Sequence, residues 1–210
     1  MKKVFFYGDS NTYGYDPSGM MGGRYPRSSR WTTLLADSLA GEWTVAHDGM
    51  PGRTIPDAGR GLNYVIDSLK AEMPMDLFAV MLGTNDLLNM RHPDAAFVAA
   101  RMENLVRSAA DVLSVDILLI APPLIRFTDP SCTQPFVRGS GSYPKDCKEE
   151  SQRLARLYRE IAARCGVFYA DAASWDPDLA FDGVHLSESG NVTFAREMGK
   201  VLTQIGGACE

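Results

Sequence analysis

The chain is poor in the residues that hold metals and cross-links. Its 210 residues include four cysteines and three histidines. Cys132, Cys147, Cys165 and Cys209 form no Cys-x-x-Cys pair, and with so few histidines the spacing of a zinc site is absent. No metal and no cofactor is expected. Free thiols in a reducing compartment are expected, and the sequence leaves a Cys132–Cys147 link open. No basic block or aromatic-basic patch occurs and the net charge is -5, which excludes a nucleic-acid partner. No apolar stretch approaches the length that a bilayer requires, so no membrane partner is expected. Met1-Lys2-Lys3 precedes an apolar run that Gly8-Asp9-Ser10 cuts too short for a signal peptide, and a cytoplasmic location is expected. Neither a Gly-x-Gly-x-x-Gly fingerprint nor a P-loop is present, which argues against nucleotide binding.

What is present is an ordinary globular composition, 45% hydrophobic and 22% charged. That suits one sizeable core, and we read one domain over 1–210. Val4-Phe5-Phe6-Tyr7 reads as a buried first strand that stops at Gly8-Asp9-Ser10. A polar, Gly-rich loop follows from Asn11 to Arg27. Ser28 or Ser29 is the expected cap of a helix carrying Trp31, Leu34, Leu35 and Leu39, which Gly41 ends. Trp43 to Ala46 is a second strand, followed by a turn-rich loop from Asp48 to Thr54. Leu62, Val65, Ile66 and Leu69 mark a helix. Leu77 to Leu82 is a continuous apolar run, as in a strand buried on both faces, and it ends in Gly83-Thr84-Asn85-Asp86.

Pro93 is expected to open a long helix with Phe97, Ala100, Met102, Leu105, Val106, Ala109 and Leu113 on its apolar side. Val115 to Ala121 is another strand, and 124–146 a second long loop. A charged helix runs from about Lys148 to Cys165, and Val167 to Ala170 is the last strand. The final helix shows Val192, Ala195, Met198, Leu202 and Ile205 at helical spacing. Alternation of strand and helix about five times predicts an α/β fold with a parallel sheet and helices on both faces.

In such a sheet, ligands bind outside the carboxyl ends of the strands. Ser10, the Gly49–Gly52 loop and Asn85 all follow strands and collect at that end, and the loop with Asp182 and His185 follows the last strand. Together they supply the parts that acyl transfer at a serine requires. A serine hydroxyl needs a base to take its proton, and imidazole has a suitable pKa. A carboxylate on the other ring nitrogen fixes the tautomer and stabilises the imidazolium. Backbone N–H groups at Ser10 and Gly52, with the Asn85 amide, are candidate donors to the negative oxygen of a tetrahedral intermediate. Each such donor is typically worth roughly 2.7–4 kcal/mol of barrier. No Gly-x-Ser-x-Gly occurs, so this is not the nucleophile elbow of the α/β-hydrolases.

These residues resemble the GDSL or SGNH hydrolases. Four blocks match in order: Gly8-Asp9-Ser10, Gly52, Gly83-Thr84-Asn85-Asp86 and Asp182-Gly183-Val184-His185. The resemblance implies a three-layer α/β/α flavodoxin-like fold with about five parallel strands, and ester hydrolysis without a metal. It assigns Ser10 as nucleophile, Asp182 and His185 as its partners, and Ser10, Gly52 and Asn85 as the oxyanion hole. Phe6 to Pro17, Arg30-Trp31 and Gly52-Arg53-Thr54 look like the branch of arylesterases and acyltransferases. That branch implies small aryl or acetyl esters, acyl transfer in some members, and homo-oligomers in several. Many family members carry Asn where this chain has His47.

For the remaining residues, plain structural readings stand beside the functional ones. Asp9 and Asp86 are expected to be structural carboxylates, and His47 a hydrogen-bonded structural histidine. His92 is expected to be a solvated loop residue. Asn11, Tyr15, Trp31, Arg53 and Val184 are candidates to line the substrate site, with Trp31 core by default and Arg53 as readily paired with an acid. Tyr13 and Tyr25 share the first long loop with Tyr15 and either line the pocket or pack the loop down. The sequence therefore predicts a serine esterase acting on small acyl, chiefly acetyl, esters of aryl alcohols or carbohydrates. The alternative is a non-catalytic module that holds a small polar ligand at the same sheet end.

Overall fold

A computed structural model describes residues 1–19, 23–126 and 146–208. Five parallel strands form the centre: β1 (Lys2–Gly8), β4 (Trp43–Gly49), β5 (Leu77–Met81), β6 (Asp116–Ala121) and β7 (Phe168–Asp171), in the spatial order β4-β1-β5-β6-β7. Strands β2 (Tyr15–Asp16) and β3 (Gly23–Arg24) make a separate two-stranded antiparallel ribbon. The helices are α1 (Ser10–Tyr13), α2 (Trp31–Ser38), α3 (Arg60–Ala71), α4 (Thr84–Asn89), α5 (Ala95–Leu113), α6 (Cys147–Cys165) and α7 (Glu188–Ala208).

Alternation along the strands builds two cores, because successive side chains point to opposite faces. Phe5, Tyr7, Phe78, Val80, Ile117 and Leu119 face α3, α5 and α6. Val4, Phe6, Leu77, Ala79, Leu118 and Ile120 face α2 and α7. The molecule is the expected three-layer α/β/α sandwich. The chain leaves β1 through α2 on one face and reaches β5 through α3 on the other. The reversal falls between β1 and β5, the position at which open α/β sheets leave a crevice. Among the described residues, no helix is long and apolar enough to cross a membrane.

Several local expectations are corrected. The loop after Ser10 opens with the helical turn α1. Ser28 and Ser29 do not cap α2: Arg27–Ser29 form a short 3-10 turn, and the cap position falls to Arg30. Pro93 stands outside α5. Asp94 caps that helix instead, its carboxylate accepting from the N–H groups of Ala96 and Phe97. Phe97 and Val192 are exposed. The buried stripe of α5 runs through Ala95, Val98, Ala99, Met102, Leu105 and Val106, and Phe97 packs against Arg101 on the outer side. Loop 124–146 lies outside the described residues from 127 to 145, and Cys132 with it. Cys147 is a buried free thiol.

One close approach positions the site. The turn α1 lies directly on the ends of β1 and β4. A Cβ added at Gly49 would sit 2.2 Å from the Tyr13 nitrogen, and one at Gly8 would sit 2.0 Å from Thr12 Oγ1. Gly49→Ala would have to lift the turn's backbone off the sheet. Its denaturation midpoint in urea is expected to fall by the equivalent of about 1–3 kcal/mol, the usual range for overpacking.

Candidate active site

The strand-to-helix turn after β1 carries Ser10. Asp9 occupies the cap position of α1, and its carboxylate accepts from the Asn11 N–H at 2.9 Å. Ser10 Oγ lies 2.9 Å from His185 Nε2, and His185 Nδ1 lies 2.5 Å from Asp182 Oδ2. All three side chains are buried. The other Asp182 oxygen accepts from the N–H groups of Val184 and His185, both at 3.0 Å. An ionised carboxylate only accepts, so Nδ1 carries the proton and Nε2 is left as an acceptor for the Ser10 hydroxyl. Burial pushes the Asp182 carboxyl up. The hydrogen bond and charge of His185, with the two backbone donors, outweigh burial and hold it below the usual carboxylate value. The group is therefore ionised near neutrality.

The other two blocks are tied to the same corner. Gly8 O accepts from the Met50 N–H and from Arg53 Nη1. The Asn85 amide nitrogen donates to Arg53 O at 3.1 Å, which fixes which end of that amide is the donor. Gly52, with φ of 77°, and Asn85 are thus held beside the residue that ends β1. Among the described residues, no cluster of His, Cys, Asp and Glu could hold a metal ion.

A family model for GDSL-like lipases and acylhydrolases matches residues 6–192. The chain belongs to the GDSL-like lipase/acylhydrolase family. No curated protein sequence matches it. Among solved structures it is similar to a proposed arylesterase from Agrobacterium tumefaciens, at 33% identity and a TM-score of 0.76, over 98% of this chain and 100% of that one. A carbohydrate acetylesterase family member from Sinorhizobium meliloti shares 30% identity with a TM-score of 0.80, over 99% and 100% of the two chains. The aryl esterase of M. smegmatis shares 25% identity with a TM-score of 0.79, over 97% and 99%.

Within this GDSL fold, the expected lining residues divide. Tyr15 is half-buried, its ring centroid 4.6 Å from that of His185. It stands at the site. Asn11, Trp31 and Val184 are as buried as Ser10 and His185, and each has packing or hydrogen-bond partners of its own. Trp31 packs between Phe6 and Phe194, and its indole N–H donates to Asn11 O. The Asn11 side chain donates to Val184 O and accepts from the Leu186 N–H. Val184 belongs to the core beneath the loop. Arg53 takes the acid-paired alternative: it bonds Asp48 at 2.8 Å and lies over the Tyr7 ring. His47 is not hydrogen-bonded at Nδ1, which has no partner among the described residues. Burial, followed by the charges of Arg24 and Arg30, pushes its pKa down and keeps it neutral.

Sequence reasoning missed Arg101 and Asn191. Arg101 joins Asp86 at 2.8 Å, and Asp86 accepts from the Ile55 N–H, so the pair fastens the Gly52 loop to α4. Asn191 accepts from the Trp31 N–H and donates to Ser187 O. Neither carries a motif. The signal for Arg101 was an arginine on an otherwise apolar helix flank.

Asp9 is raised to about 6, first by burial, against its bond from Asn11. The folded state therefore holds the Asp9 proton to higher pH than the unfolded chain does. Stability contributed by this group is full below the ordinary carboxylate value and is lost as pH rises towards about 6. Asp9→Asn is expected to flatten part of the fall in urea midpoint between pH 4 and pH 6.5. An unchanged slope would count against a buried, protonatable Asp9.

Proposed function

We propose that the protein is a serine esterase that cleaves small acyl esters through an acyl-enzyme on Ser10. Family membership makes it an acyl ester hydrolase. The single observation that carries the finer reading is the unbroken chain of contacts from Ser10 Oγ through the His185 ring to Asp182.

The steps follow from that geometry. Ser10 Oγ attacks the acyl carbon while His185 Nε2 takes its proton. The carbonyl oxygen becomes an oxyanion, which the Ser10 and Gly52 N–H groups and the Asn85 amide stabilise as donors. The intermediate collapses, the C–O bond to the alcohol breaks, and His185 returns the proton to the leaving oxygen. Water, or a second alcohol in acyl transfer, then attacks the acyl-enzyme with His185 again as base. Asp182 stays ionised and stabilises the imidazolium at each stage.

The arylesterase and carbohydrate acetylesterase neighbours, together with the Tyr15 ring beside His185, support acetyl esters of aryl alcohols or carbohydrates as substrates. An aromatic face suits a flat aryl group or the apolar face of a sugar. The arylesterase resemblance, with oligomers among several branch members, supports a homo-oligomer, and sedimentation velocity of the purified chain tests it. Free thiols at Cys147 and Cys165 suit a reducing, cytoplasmic compartment.

Purified protein is expected to turn over p-nitrophenyl acetate and acetylated sugars. Ser10→Ala and His185→Ala should each lower kcat by about 10⁴-fold or more, because such groups act as a unit. Asn85→Ala should lower it by about 10²–10³-fold with little change in KM. Wild type turning over no faster than both Ser10→Ala and His185→Ala on the whole panel would sink the reading.

A further inference from the structure

The loop that carries His185 is organised from within and fastened from without by different residues. Inside the loop, Asp182 holds the Val184 and His185 N–H groups and the imidazole itself. None of these bonds fixes where the loop lies relative to Ser10. Arg126 N–H and Ala180 N–H hold the Gly183 and His185 carbonyls from outside the loop, but the bonds that tie it to the Ser10 turn come from Asn11, the residue next to Ser10 on the same helical turn. Its Nδ2 donates to Val184 O at 3.2 Å, and its Oδ1 accepts from the Leu186 N–H at 2.9 Å. The two partners are the residues on either side of His185. A carboxamide has the donor and acceptor of a peptide unit, so Asn11 pairs with this segment as a neighbouring strand would.

Asn11 is itself immobilised at every polar group. Its N–H donates to the Asp9 carboxylate, and its carbonyl accepts from Trp31 Nε1 at 2.8 Å. The Trp31 N–H donates to Asn191, and Asn191 Nδ2 donates to Ser187 O, two residues past His185. The network closes on the loop from its far side. Asn11 is 4% exposed, so water does not compete for these bonds.

We propose that Asn11 is the positioning residue of the site, clamping the peptide groups on both sides of His185 so that the imidazole meets Ser10 Oγ. This rests on the reading of Ser10 and His185 as nucleophile and base. Asn11 touches no reacting atom. Its effect is registration of two rigid pieces, the α1 turn and the Asp182–His185 loop. Small misplacements of reacting groups cost up to about 10²-fold in rate.

The clamp separates two readouts. In Asn11→Ala and the similar-sized Asn11→Leu, the internal bonds of the loop remain, so the low-field proton resonance of the His185 Nδ1–H should persist. The kcat on p-nitrophenyl acetate and the rate at which a fluorophosphonate labels Ser10 should both fall about 10- to 100-fold, with KM within about threefold. Trp31→Phe, which removes the bond to Asn11 O together with part of the Phe6–Trp31–Phe194 packing but leaves the Asn11 side-chain clamp, should move the same readouts less. Asn11→Asp gives a sharper test. A protonated carboxyl has the amide's donor and acceptor, whereas an ionised one repels Val184 O. The ratio of Asn11→Asp to wild-type kcat should therefore rise as pH falls from 8 to 5. Asn11→Ala and Asn11→Leu retaining kcat within twofold, or a pH-independent Asn11→Asp ratio, would overturn the inference. A wild type whose turnover survives Ser10→Ala would instead overturn the esterase reading.

Discussion

The site depends on how closely the turn after β1 lies against the sheet. Gly8 and Gly49 present no side chain beneath it; the Thr12 side chain occupies the space over Gly8, and the backbone of Thr12 and Tyr13 that over Gly49. That contact sets the height of Ser10 above the strand ends. It also leaves the Gly8 carbonyl free to accept from Met50 and Arg53, which draws the Gly52 loop to the same corner. A side chain under the turn would raise Ser10 and loosen the loop in one step. The turn is seated by the close fit of the Thr12 side chain and the Thr12–Tyr13 backbone against the strand ends, and the polar contacts are built on top of it.

Much of this was legible in the chain. The five parallel strands were readable because their apolar runs are short, dense and bounded by turn residues. Helices α3 and α7 were readable from period alone. Ser10, Asp182, His185, Gly52 and Asn85 could be singled out because each ends a strand or sits in a turn before a helix. The failures share a cause: hydrophobicity is a property of the residue, whereas burial is a property of its place. Phe97 is apolar yet lies on the solvent side of α5, and Ala95 and Val98 take the core positions. Asn11 is polar yet buried, because the groups that satisfy it lie 173 and 175 residues away. No local pattern encodes such partners. Asp94 could have been read as a cap, but Pro93 gave the stronger local signal.

Charge around the site is arranged in unequal layers. Asp9 and Asp86 are each raised to about 6, first by burial, so both destabilise the fold somewhat at neutral pH. Asp86 is offset by Arg101, which also reaches the carbonyl of Ile55 and the exposed Asp57. Salt screens the outer pair and hardly touches the inner one. The hold on the Gly52 loop should thus be insensitive to ionic strength even where surface pairs are not. Asp182 differs because the Val184 and His185 N–H groups and the imidazole donate to it, and among the described residues it is the buried carboxylate held below its ordinary value.

The burial of Ser10, His185 and Asp182 has an energetic corollary. Folding shields these groups from bulk water and joins them in one hydrogen-bonded chain from Ser10 to Asp182. Under the proposed mechanism, solvent reorganisation, a large part of the barrier to moving charge in water, is met largely by folding. A substrate arriving at such a place meets an environment that does not have to relax around it. The scaffold therefore acts as a frozen solvent, and its rigidity is part of the reagent.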